Sequence, residues 1–263
     1  MMRQSMMEQP AEHAGSDPGR QEKIAILYED NHMIVAVKPA GVLSQADGSS
    51  RPDMLSLLKS SIKLRYDKPG NVFLGLVHRL DQPVAGVMVF ARTSKAASRL
   101  SAQIREHRVD KFYLAVVHGC PMPRQGSLQD NLAKNPADGQ VIVVAQDKGQ
   151  AAWLDYQVLE TLADESLTLL AIRLGSGRGH QIRVQLSSRG WPIVGDRRYG
   201  GPAALHEPRD PALFACLFCL NHPISGKRLD FQAMPPESQP WSLFRQPDPA
   251  LLPGLFLSRT EHR

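Results

Sequence analysis

Cysteine is scarce, with three in 263 residues. Three cannot build the disulfide framework of a small secreted scaffold, nor alone complete a four-ligand zinc site. Cys216 and Cys219 do have C-x-x-C spacing, with His222 nearby, but they lie in Leu213-Phe214-Ala215-Cys216-Leu217-Phe218-Cys219-Leu220. That apolar run reads as a core strand, where free cysteine acts as a small hydrophobe, and no metal site is expected. Long hydrophobic runs are also missing. Nothing approaches the roughly 18 apolar residues of a membrane span, so no membrane contact is expected. Residues 1–22 lack the apolar stretch of an export signal and read as a disordered tail, which makes the cytoplasm the expected location. Acid is absent between Ser166 and Gly195, while Arg173, Arg178, Arg183 and Arg189 fall inside. A dinucleotide loop is missing too. Gly175-Ser176-Gly177 opens as G-x-G-x-x-G would, but His180 takes the last glycine's place.

What is present is an ordinary globular composition, 42% apolar and 22% charged, long enough to bury a full core. The net charge of +5 is modest, so its placement matters more than its size. Arg92, Lys95, Arg99, Arg105, Arg108 and Lys111 form a second basic segment, relieved only by Glu106 and Asp110. Two such segments point to a polyanionic ligand.

Between them lies Leu76-Val77-His78-Arg79-Leu80-Asp81-Gln82-Pro83. The apolar residues over 72–77 read as a buried strand delivering His78, Arg79 and Asp81 to its end. Pro83 biases Gln82 away from helix, so Asp81 is expected on a loop. Taken alone, Arg-Leu-Asp is more often a structural ion pair than a reactive group.

Along the chain, strands are expected over 24–27 and 33–37, with a turn at Glu29-Asp30-Asn31. A helix over 53–65 has Asp53 at its start, and a strand covers 87–91. Thr93 caps a second helix to about His107. The segment 112–118 alternates two apolar faces and is therefore a central strand, with the Tyr113 hydroxyl in the interior or a cleft. Residues 121–140, punctuated by Pro and Gly, read as loop. Strands follow over 141–144, 151–162 and 166–174, then a helix from near His180 with Arg183 in its first turn, where the helix dipole disfavours a cation. A hairpin turns at Ser225-Gly226, and the segment from 234 onward is expected to hold at most one short helix, over 241–244.

In this order, five stretches resemble the RluA-type family of RNA pseudouridine synthases. They are Tyr28-Glu29-Asp30 through Lys38-Pro39-Ala40-Gly41; His78-Arg79-Leu80-Asp81; Lys111-Phe112-Tyr113-Leu114-Ala115-Val116; Gly177-Arg178-Gly179-His180-Gln181-Ile182-Arg183-Val184; and Gly195-Asp196 to Tyr199-Gly200. The resemblance implies an α+β fold: a long mixed, mainly antiparallel sheet with flanking helices and a central cleft. It implies a catalytic domain over 23–247, with a C-terminal tail over 248–263 and no room for an N-terminal RNA-binding domain. By the resemblance, Asp81 matches the catalytic aspartate, and Arg183 the basic residue paired with it. Tyr113 matches the tyrosine that packs on uracil and is implicated in proton transfer. Arg79 matches an arginine that takes the flipped uridine's place. His78, Leu80, Arg178, His180, Gln181 and Ile182 share these motifs and are expected to bind RNA or substrate. The implied partner is structured RNA, ribosomal or transfer; an isomerisation needs no cofactor or metal, and a monomer with no obligatory protein partner is the default expectation. Two departures stand out: Val84-Ala85 where Thr-Ser is frequent, and Gln185 where histidine is frequent. Rival readings are a nucleoside or glycoside hydrolase, which would release free base, and a non-catalytic RNA-binding module, which would not need Asp81.

Overall fold

The computed structural model describes residues 24–202, 204 and 210–262, with side chains described to residue 256. The tail expected over 1–22 lies outside them.

The described strands join one sheet. They are β1 (Ile26–Glu29), β2 (Met33–Lys38), β3 (Gly75–Leu76), β4 (Ala85–Ala91), β5 (Asp110–His118), β6 (Gln125–Lys134), β7 (Val141–Val144), β8 (Gln150–Thr161), β9 (Leu167–Leu174), β10 (Leu213–Asn221) and β11 (Arg228–Gln232). The order is β1-β2-β4-β10-β5-β9-β8-β6-β7, with β3 beside β4 and β11 beside β10. Every pairing is antiparallel except β4 with β10. That parallel contact is short, Phe214 opposite Ala85 and Ala215 opposite Gly86. Beyond it the sheet forks, with β3 pairing the far end of β4 and β11 the far end of β10. Gly86 makes the approach possible. Its φ is +129°, and a Cβ there would stand 2.3 Å from the Ala215 carbonyl oxygen.

Helices cover opposite faces of the sheet. In β2, Ile34 and Ala36 join the core cluster of helix α1 (Met54–Arg65), and Met33 and Val35 the cluster of helix α2 (Ser94–Arg105). This two-sided burial is the period-two signature of a central strand. Asp53 and Thr93 cap the two helices as expected, accepting from Ser56 N–H and Ala96 N–H, each at 3.1 Å. On β5 both alternating faces are buried, and Cys216 and Cys219 are buried on β10.

Three expectations are corrected. The strand over 72–77 is paired only at Gly75 and Leu76, because β10 already occupies the near end of that flank of β4. The loop over 121–140 contains β6, which pairs with β8 from Gln125 to Leu132. Gly126 there is no turn residue: a Cβ on it would lie 2.8 Å from the Tyr156 ring, so glycine lets the ring close over the strand. The C-terminal segment forms a 3-10 helix, Pro249–His262, after a 3-10 turn at Trp241–Leu243. Leu252 and Phe256 are buried, and the Phe256 ring lies 5.8 Å from that of Phe112.

Candidate active site

A cleft of about 780 Å³ lies over the middle strands, of a size that holds a small organic group. All ten residues singled out above line it: His78, Arg79, Leu80, Asp81, Tyr113, Arg178, His180, Gln181, Ile182 and Arg183.

Asp81 sits on the irregular segment after β3, in a turn closed by Val84 N–H on the Asp81 carbonyl at 3.0 Å. Neighbouring segments fix this loop. Ser44 Oγ accepts from Leu80 N–H at 3.1 Å and donates to the Leu80 carbonyl at 2.7 Å. Gly41 N–H donates to the Gln82 carbonyl, and Gln82 Nε2 returns a bond to the Gly41 carbonyl, both at 3.0 Å. Lys38 is wholly buried, its Nζ donating to the carbonyls of Pro39 (2.9 Å), Val42 (2.6 Å) and Gln82 (2.8 Å). Burial pushes its pKa down to about 8, against the pull of Asp81 and Asp210. Lys38-Pro39-Ala40-Gly41 is thus a bracket for the Asp81 loop.

The opposing wall is helix α3 (Gln181–Ser187), preceded by His180 at a left-handed φ of +54°. Arg183 Nε and Nη2 bind both oxygens of Asp196 at 2.7 and 2.8 Å, leaving Nη1 to donate to Asp81 Oδ2 at 3.0 Å. The side chain of Asp196 is 0% exposed, that of Arg183 6% and that of Asp81 23%, so the pair grades from a sealed anchor to an open carboxylate. Burial works against the Arg183 charge, but Asp196 and then Asp81 more than offset it, and the guanidinium is held more firmly protonated than usual. Asp196 Oδ1 also accepts from the N–H groups of Arg198 and Tyr199. The Arg183 guanidinium lies 5.1 Å from the centre of the Tyr199 ring, and the Tyr199 hydroxyl pairs with His180 Nδ1 at 2.7 Å. His180 Nε2 is 3.9 Å from Asp81. Burial lowers the His180 pKa, opposed by Asp81, so the ring is neutral at pH 7.

Tyr113, on β5, is 7% exposed. Burial, then the charge of Asp81, raises its pKa well above the ordinary phenol value, so its hydroxyl keeps its proton. Among the described residues that hydroxyl has no hydrogen-bond partner. Arg79 is exposed and likewise unpaired, and Arg178 is exposed with Nε on the Ala151 carbonyl.

Two of the residues expected to bind substrate also bond within the protein. Gln181 uses all its side-chain capacity: Oε1 accepts from Ser176 Oγ and Arg178 N–H, and Nε2 donates to the Trp153 carbonyl and Gln185 Oε1. His78 Nε2 accepts from Val89 N–H at 3.0 Å, with the ring 4.7 Å from that of Phe218. Burial, with Lys111 nearby, pushes its pKa down to about 3. Leu80 and Ile182 are apolar wall, 7% and 5% exposed. Of the two departures, Gln185 donates to Asp130 at 2.7 Å, and Val84 supplies the turn-closing N–H.

From sequence alone, Lys38, Ser44 and Asp196 carry no site role, and Lys111 only its place in a basic segment. Lys38, Lys111 and Asp196 each stand in a quoted motif, which is the usable signal, whereas Ser44 stands in none. Bonds from Lys38 and Ser44 to carbonyls dozens of residues away leave no local pattern.

The family model described as RNA pseudouridylate synthase matches residues 32–188. The chain is 34% identical over 224 residues to "Ribosomal large subunit pseudouridine synthase D" of Zymomonas mobilis, covering 81% of this chain and 70% of that protein. It is 34% identical over 218 residues to "Dual-specificity RNA pseudouridine synthase RluA" of Salmonella typhimurium, covering 82% and 95%. Among solved structures it is similar to "Human RNA Pseudouridylate Synthase Domain Containing 4", with TM-score 0.67 and 25% identity over 81% of this chain and 88% of that one.

Proposed function

The chain belongs to the RluA-type RNA pseudouridine synthases, and from that premise we propose that Asp81 is the carboxylate with which it isomerises uridine in structured RNA. The observation that carries this assignment is the geometry of one guanidinium. Arg183 is clamped on a sealed Asp196 and offers its remaining nitrogen to an open Asp81. A carboxylate so held serves as nucleophile or base without drifting from its place.

The net reaction breaks the bond from ribose C1′ to uracil N1 and forms one from C1′ to C5. C5 loses a proton and N1 gains one, so no hydride, methyl or phosphoryl donor is consumed. Asp81 acts on the ribose or on the base of an extruded uridine. Tyr113, buried and protonated, lies against the uracil and passes a proton at the base. Arg79, exposed and unpaired, fills the gap left in the RNA stack, a role that suits a planar, stacking cation. Arg178 holds phosphate at the cleft mouth.

Large-subunit ribosomal RNA is the first substrate to try, because one relative's name specifies it; transfer RNA is the second. The test is nuclease digestion and chromatography of an unmodified transcript after incubation with the protein. Pseudouridine with no free uracil is expected. Released uracil would identify a hydrolase, and unchanged uridine in both RNA classes would leave only a binding module.

A further inference from the structure

Among the described residues, one half-buried charge in the cleft, that of Lys111, has no partner. Lys111 lies on β5 two residues before Tyr113, so the two side chains share one face of the strand, roughly 7 Å apart along it. Both line the cleft. The Lys111 Nζ lies against Gly177, where an added Cβ would come within 3.4 Å of it. The charge of Lys111 acts on His78, which is neutral with Nε2 taken by Val89 N–H. Among the described residues, Lys111 makes no hydrogen bond and no ion pair. Burial pushes its pKa down to about 8, with no carboxylate pulling the other way. A half-buried ammonium without an acceptor is costly in a free protein, and such a cost is retained where a ligand removes it.

We propose that Lys111 receives a phosphate flanking the target uridine, so that the extruded nucleotide is held at the floor of the cleft by its backbone while Asp81 and Tyr113 address ribose and base. The inference rests on the isomerase reading above. Arg79 and Arg178 sit exposed at the mouth and meet the RNA outside, whereas Lys111 is beside Tyr113, where only the extruded nucleotide reaches. Gly177, having no side chain, leaves the approach to Nζ open.

The test measures binding to an unmodified large-subunit ribosomal RNA transcript across a salt series, with thermal melting of each variant. Lys111→Met is expected to weaken binding roughly tenfold at low salt and to make the slope of log K against log salt shallower by about one, as loss of one phosphate contact does. Lys111→Arg should retain most of the affinity. The melting temperature of Lys111→Met should be no lower than wild type, since an unpaired charge is removed. Should that variant fail to fold, Lys111→Gln is read in its place. On an oligonucleotide spanning the mapped uridine, neutral methylphosphonate linkages beside it should penalise wild type and leave Lys111→Met unaffected. A wild-type slope and affinity in Lys111→Met, or an equal lysine dependence on neutral linkages, overturns the proposal. Loss of wild-type turnover with a lysine-dependent slope intact would instead sink the isomerase reading alone, and no RNA binding by wild type would sink both.

Discussion

Asp196 is sealed from solvent and Arg183 nearly so, so neither charge can recover water if its partner is lost. Asp196→Ala is therefore expected to destabilise the fold by about 3–5 kcal/mol, read as a lowered urea midpoint, and to lower turnover as Arg183 loses its aim. Asp81→Ala, at the open end of the same chain of charges, should shift that midpoint far less. Lys38 supplies a pH signature. Folded, it releases its proton near pH 8; unfolded, it keeps it to about 10.5. In that window the unfolded chain binds more protons, so stability rises with pH. Above about 10 Tyr113 opposes this, since it stays protonated only when folded. The wild-type midpoint should thus climb between pH 8 and 10 relative to Lys38→Met, and parallel profiles would contradict the assignment. Asp81, Tyr113 and Arg183 were legible as motif residues. Lys38 also stands in a quoted motif, but its bracing of the Asp81 loop was not legible, because its acceptor on Gln82 is 44 residues away and a buried lysine leaves no periodic trace.

Among elements, the joint between β4 and β10 sets the cleft. It is the sheet's one parallel contact among the described residues, and Gly86 leaves no room for a side chain against Ala215. Gly86→Ala is expected to cost at least about 2 kcal/mol, which lowers Tm by roughly 4–8 °C. An unchanged Tm would show that the joint is softer than its geometry. Helices α1 and α2 were legible because capping residues and apolar spacing are local. Strand β6 was not, since its sequence offers only Leu128 and Leu132 to the core and its stability comes from the ladder to β8. β3 was overestimated for the converse reason: an apolar run records burial, not pairing.

For the whole molecule, the net charge of +5 understates the field at the site, where Arg79, Lys111, Arg178 and Arg183 face only Asp47 and Asp81 among the acidic residues lining the cleft. The acid-free arginine segment was legible as a polyanion signal. The packing of the C-terminal 3-10 helix on Phe112 was not, because three nearby prolines read as a tail. The central claim is that this field brings a uridine to Asp81, whose carboxylate carries the exchange of N1 for C5. It is tested most directly by tritium release from large-subunit ribosomal RNA labelled at C5 of uridine, with wild type and Asp81→Asn compared at equal RNA occupancy. Wild type should release tritium in step with pseudouridine formed, and Asp81→Asn should bind the RNA and release none. Release by Asp81→Asn at the wild-type rate would contradict the account.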